Sequence, residues 1–158
     1  MTMTERATAL NTPPVPVPTA ITEFFWEGVR SGELRILRCQ ACEYFVHYPR
    51  PLCNKCGSTD LAPERVSGRA IVYSYTWAVQ AFHPYFKDRV PYNVAVVELV
   101  EQAGLRMTTN IVDCPPEALR TGMEVQVVFR QVGPELVLPL FRPAPVGTPV
   151  SASNEEKR

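Results

Sequence analysis

Ile71, Tyr73, Tyr75, Trp77 and Val79 alternate with Val72, Ser74, Thr76 and Ala78, a period of two that predicts a long β-strand. Strand patterns follow at Asn93 to Val100, Arg106 to Val112, Glu124 to Val132 and Leu136 to Phe141. Gln102-Ala103-Gly104 supplies the turn between the second and third strands. Pro115 to Leu119 predicts one helical turn between the third and fourth, with proline tolerated at its start. Five strands, a long first one and a helical connection after the third describe an OB-fold barrel, whose closure removes exposed edges. Upstream the period changes. Ile21, Phe24, Phe25 and Val29 have helical spacing, and Gly32 suits the position just past a helix end, so Thr19 to Ser31 predicts a short amphipathic helix. Leu34 to Arg38 and Phe45 to Tyr48 read as strands entering and leaving a cysteine-bearing turn.

The cysteines bring in chemistry. Cys39-x-x-Cys42 and Cys53-x-x-Cys56 are two pairs on two turns, the spacing that four-coordinate metal ligation requires. The second pair is followed by Gly57, at a position where a positive φ is often needed, whereas Glu43 follows the first. Zinc is the expected ion. Four thiolates fill its coordination sphere and leave no place for water or substrate, so the expected role is structural. A rubredoxin-like iron site uses the same sulfurs and stands as the alternative, with the chain as an electron carrier. Disulfides are disfavoured: the first eighteen residues are polar and proline-rich, with no apolar run resembling a signal peptide, and the chain reads as cytoplasmic. The expected fold class is mostly β: an N-terminal helix at 19–33, a zinc ribbon at 34–65 and a five-stranded OB-fold barrel at 66–143. Proline-rich 1–18 reads as a disordered arm and 144–158 as a disordered tail.

Charge narrows the partners. Lysine plus arginine equal aspartate plus glutamate at 16 each, and the barrel segment itself carries seven of either sign. An OB-fold with exposed aromatics invites single-stranded nucleic acid, but a balance of zero leaves little for counterion release, so neither nucleic acid nor membrane is an expected partner. No stretch approaches the roughly twenty apolar residues of a membrane span. Two surfaces remain. The connection Phe82-His83-Pro84-Tyr85-Phe86-Lys87-Asp88-Arg89-Val90-Pro91-Tyr92 is dense in aromatics, and either folds across a barrel opening or meets another chain. Phe24, Phe25 and Trp26 spread a wide aromatic surface on a short helix, which either packs on the chain's own core or docks on a partner.

A catalytic constellation is not visible. His47 and His83 are the only histidines, and Cys114, the one cysteine outside the pairs, precedes Pro115-Pro116 and reads as a small packing residue. Asp113 reads as a cap on the turn that follows.

These blocks together resemble one family. The cysteine pairs ending in Gly57-Ser58, then Val66-Ser67-Gly68-Arg69-Ala70-Ile71-Val72-Tyr73-Ser74-Tyr75-Thr76, Phe82 to Phe86 and Val90-Pro91-Tyr92 are similar to the family called domain of unknown function thirty-five. Asn110 to Cys114, Leu119 to Val125 and Leu138 to Pro143 continue the match, across residues 20 to 143. The resemblance implies a rubredoxin-like zinc ribbon joined to an OB-fold, and an accessory subunit rather than an independent catalyst. It implies as partner a thiolase-like or lipid-transfer-type enzyme acting on an acyl-CoA, in some relatives with an enoyl-CoA hydratase. The leading reaction is retro-aldol cleavage of a steroid side-chain β-hydroxyacyl-CoA, with the CoA thioester as substrate of the complex. A heterotetramer of two copies of each chain follows from the habit of thiolases to dimerise. On this reading Lys87 and Arg89 offer a flexible and a forked donor to CoA phosphates.

Overall fold

Two threonines shorten the expected helix. In the computed structural model, which describes residues 12–145, the Thr19 N–H donates to Thr22 Oγ1 at 2.9 Å, and the N–H groups of Thr22 and Glu23 both donate to Thr19 O. Hydroxyls that compete for local backbone groups favour a turn over a helix interior, so helix α1 runs Glu23–Arg30 instead of starting at Thr19. It ends as Gly32 predicts. Gly32 takes φ 76°, its N–H donates to Val29 O, and Glu33 N–H donates to Gly28 O. Most of the expected arm and tail, 1–11 and 146–158, lies outside the described residues.

Three strands carry the cysteine turns: β1 Arg35–Cys39, β2 Phe45–Val46 and β3 Leu61–Arg65, in the order β2-β1-β3, all antiparallel. β3 has no counterpart in the hydrophobic pattern, because Leu61-Ala62-Pro63-Glu64-Arg65 neither alternates nor excludes proline. Its place at the sheet edge, paired only with β1, is where proline is tolerated.

The second sheet contains β4 Arg69–Ala78, β5 Tyr92–Leu99, β6 Arg106–Thr109, β7 Glu124–Gln131 and β8 Val137–Pro143, in the order β6-β5-β4-β7-β8. It curls until its two ends meet. Past Thr109 the chain leaves β6 and runs parallel to β8 at Ile111 and Phe141, where Phe141 N–H donates to Asn110 O at 3.1 Å and Val112 N–H to Phe141 O at 2.7 Å. That parallel seam makes the sheet an OB-fold, and it truncates the third strand relative to the expected Arg106 to Val112.

The long first strand corrects a simple period of two. Val72 pairs with Val97 and Ser74 with Val96, leaving Tyr73 as an extra residue in a β-bulge. Before the bulge Ala70 and Val72 face inward while Ile71 and Tyr73 are exposed; after it Tyr75 and Trp77 pack against the core. One inserted residue exchanges the faces. Exposed Tyr73 is covered by the Arg106 guanidinium, 3.5 Å from its ring centre, and the inward Tyr75 hydroxyl donates to Leu119 O at 2.9 Å.

Ribbon and barrel share one core. Phe25 and Val29 of α1 and Leu34, Ile36 and Phe45 of the ribbon join Val72, Val97, Leu99 and Phe141 of the barrel. β1 divides the interior by parity: Ile36 enters this core, while Leu37 and Cys39 face a second cluster with Val46 and Cys53. Gln102, from the β5–β6 turn, clamps the ribbon: its Oε1 accepts from Phe45 N–H at 2.8 Å and its Nε2 donates to Phe45 O at 3.1 Å. The ribbon is therefore fastened to the barrel by apolar packing on one face of β1 and by a side-chain amide on its neighbour.

Candidate metal centre and partner surface

The two C-x-x-C turns are built alike. Cys39 O accepts from Glu43 N–H at 2.8 Å and Cys53 O from Gly57 N–H at 2.9 Å, closing each turn four residues on. Each closure needs a left-handed residue: Gly57 has φ 76° and Glu43 φ 60°. Glutamate adopts a conformation that glycine adopts without strain, and its carbonyl is held in place by Arg38 Nε at 3.1 Å.

The four Sγ atoms converge. All lie within 4.8 Å of one another, with Cys39 to Cys56 at 3.6 Å and Cys42 to Cys53 at 3.7 Å. Tetrahedral zinc with bonds of ~2.3 Å sets sulfur–sulfur edges of about 3.8 Å, so the donor set and its size fit the ion. Burial raises the Cys39 thiol, but N–H groups of Cys42 and Ala41 outweigh it and hold the pKa below the usual thiol value. Burial raises Cys53 too, and the N–H groups of Cys56 and Lys55 bring it down to about 7. At Cys42 the Tyr44 N–H lowers the pKa, yet burial and the three neighbouring sulfurs push it up to about 12. Sulfurs this close must share protons unless a dication neutralises them; zinc would do so and hold the two turns together. No position is left for a substrate, which makes the centre structural. Cys114 lies partly buried against the barrel core, where burial raises its thiol. Asp113, expected to cap the next turn, instead accepts a hydrogen bond from Arg130, and the 3-10 turn Pro116–Ala118 has no side-chain cap.

The expected docking helix is corrected in part. Phe25 is 9% exposed and sits in the shared core, so it presents nothing to a partner. Phe24 and Trp26 are half-buried against the same core. Trp26 lines a cleft of about 290 Å³ between α1 and the barrel seam, together with His47, Tyr48, Leu138 and Leu140.

His47 is an unexpected feature of that cleft. Neither imidazole nitrogen has a hydrogen-bond partner among the described residues, and burial pushes its pKa down to about 4. The unfolded chain binds the proton near the ordinary value of ~6.5, so stability is complete above that pH and falls as pH drops toward the folded value. Guanidinium titrations of the zinc-saturated protein at pH 7.5 and 5 should show a loss of roughly 2 kcal/mol that the His47→Phe variant lacks. Equal losses in both proteins would rule His47 out as the cause.

The aromatic connection is an ordered cluster rather than a loose loop. Pro84–Phe86 forms a 3-10 turn whose first N–H groups include Tyr85 N–H donating to His83 Nδ1 at 3.2 Å. Phe86 is the hub, with ring centres 5.1 Å from Tyr85, 5.2 Å from Tyr92 and 6.4 Å from His83. Arg89 lies on the Tyr85 ring at 4.0 Å and donates to Tyr85 O at 2.9 Å. Phe82 is left outside the cluster at 88% exposure, and Pro84, Lys87 and Pro91 are exposed beside it. Tyr85, Phe86 and Tyr92 wall a second groove of about 440 Å³, which meets the first cleft at Asn110, Leu138 and Leu140 on the seam.

Two family descriptions match this architecture in tandem: "ChsH2, rubredoxin-like zinc ribbon domain" over residues 26–62 and "ChsH2, C-terminal OB-fold domain" over residues 63–130. A DUF35 domain-containing scaffold protein of Methanocaldococcus jannaschii is 37% identical over 109 residues, which cover 68% of this chain and 75% of that protein. The chain belongs to the DUF35 family. A probable enoyl-CoA hydratase alpha subunit of Thermomonospora curvata is 40% identical over 131 residues; this DUF35 chain spans only 40% of its length. Among solved structures, a chain of the Ltp2-ChsH2(DUF35) aldolase superposes with TM-score 0.73 at 39% identity, covering 82% of this chain and 98% of that one. All four cysteines fall within the matched ribbon, whose description supports structural zinc. Among the described residues, no helix of the DUF35 chain is long and apolar enough to cross a membrane.

Proposed function

We propose that this DUF35 chain is the accessory subunit of an acyl-CoA enzyme complex, binding and stabilising a thiolase-like partner through its aromatic connection. The observation that carries the reading is the 98% coverage of a chain from an aldolase complex, joined to the 88% exposure of Phe82 beside the aromatic connection's ring cluster in sequence. A large exposed ring suits the anchor of an interface. The reaction is retro-aldol cleavage of a steroid side-chain β-hydroxyacyl-CoA, with catalytic groups on the partner and two copies of each chain in the assembly. Lys87 and Arg89, both exposed on the same connection, would bring two cations to CoA phosphates. A hydratase as the partner is the second reading, favoured by the hydratase alpha subunit that this chain resembles.

Co-expression with the adjacent genes tests it. A thiolase-like neighbour is expected to co-purify and to gain aldolase activity, and Phe82→Asp should weaken the complex by about thirtyfold or more, the scale of an interface anchor at about 2 kcal/mol or more. Co-purification of a hydratase alone would establish the second reading. If a thiolase-like neighbour neither binds nor changes in activity, the proposal fails.

A further inference from the structure

Pro13 and Pro14 of the segment Thr12-Pro13-Pro14-Val15-Pro16-Val17-Pro18 line the second groove, and nothing in the metal centre accounts for them. Four prolines in seven residues pre-set φ and remove backbone donors, so the segment cannot pair as a strand and is suited to an extended polyproline II helix. Such a helix presents every third residue along one edge. Pro13 and Pro14 are the residues that line the groove; Pro13 and Pro16, three apart, are half-buried, whereas Val15 and Val17 are 61% and 84% exposed.

The groove it meets has matching chemistry. Tyr85, Phe86 and Tyr92 line it together with Val132 and Leu136 of the β7–β8 turn. Pro13 sits directly on that turn: a β-carbon at Gly133 would come within 3.3 Å of Pro13 Cγ. Aromatic walls receive proline rings, and a ligand already extended loses little entropy on docking. The segment borders the groove and leaves about 440 Å³ of it open, so its hold is partial.

We propose that this groove is a recognition site for proline-bearing extended peptide, and that Thr12–Pro18 is a displaceable strap that competes for it in cis. The strap's tether holds it at an effective concentration of about millimolar, so a peptide in trans must outcompete it. The groove shares Tyr85, Phe86 and Tyr92 with the aromatic connection but does not include Phe82, and its test requires no partner enzyme, so its failure is distinguishable from that of the proposed assembly.

The probe is a synthetic peptide with the sequence of residues 11–20, titrated into the full zinc-loaded chain and followed by backbone amide shifts. Releasing the strap with Pro13→Gly and Pro14→Gly is expected to shift the amides of Tyr85, Phe86, Gly133 and Leu136. It should also tighten peptide binding by about tenfold or more relative to the native chain. The same peptide with alanine for every proline should not bind. Gly133→Leu, which pushes into the place Pro13 occupies, should shift the same amides in the native chain and abolish peptide binding. The proposal is overturned by unshifted groove amides in the proline variant, by no peptide binding to it, by equal affinities for native and released chains, or by equal binding of the proline-free peptide.

Discussion

Replacing Cys53 by serine is expected to release zinc and unfold the segment from Cys39 to Leu61 while strands β4 to β8 stay paired. Cys53 is 2% exposed and belongs to the small cluster with Leu37, Cys39 and Val46. That cluster is too small to hold two turns by burial alone, and a structural zinc in small ribbons supplies an apparent ~10–16 kcal/mol at neutral pH. Loss of one thiolate from a four-thiolate set removes most of that coupling. The barrel is spared because, Phe45 aside, its core is built from its own strands and from Phe25, Val29, Leu34 and Ile36, which all precede Cys39. The readout is zinc stoichiometry together with amide hydrogen exchange: protection should vanish between residues 39 and 61 and persist in the barrel. A variant that retains stoichiometric, tightly bound zinc would show that Cys53 is not a ligand. Elemental analysis of the native chain decides the iron alternative at the same time.

The second large effect lies at the barrel seam. Phe141 is 0% exposed, and its backbone both donates to Asn110 O and accepts from Val112 N–H across the parallel junction. Its ring is among the largest fully buried side chains in the molecule and belongs to the cluster shared with α1 and the ribbon. Phe141→Ala leaves the seam's backbone bonds available but opens a cavity beneath them, at a cost of about 3–5 kcal/mol. Much of a domain's net stability of roughly 5–15 kcal/mol would go with it. Guanidinium unfolding measures the loss directly. Val79→Ala, at a side chain 76% exposed, provides the comparison and should change stability by no more than about 0.5 kcal/mol. A comparable midpoint for the two variants would mean that the seam is not a keystone.

Local rules made part of this molecule legible. Thiolate spacing, the glycine at the helix end and the alternation of each long strand are set within a few residues, and the ribbon, Gly32 and the five barrel strands appear where those rules place them. What escaped was set by pairing. β3 is a strand only because β1 offers it an edge, and Glu43 takes a left-handed conformation only because the first turn must close on Cys39. The Tyr73 bulge is invisible in a pattern of alternating residues because the inserted residue is itself aromatic. His47 gave no local signal either, since its burial comes from α1 and the seam folding over it.

By itself, the order of amino acids determined the metal-ligand set, the number and sequence of the barrel strands, and membership in the DUF35 family, because ligation and periodicity are short-range properties. Only the tertiary structure decided which aromatics are available. It buried Phe25, gathered Tyr85, Phe86 and Tyr92 into a wall, left Phe82 exposed and brought Pro13 against Gly133. Those outcomes depend on register and on contacts between segments far apart in the chain, where hydrophobicity says that a side chain will be covered but not by what.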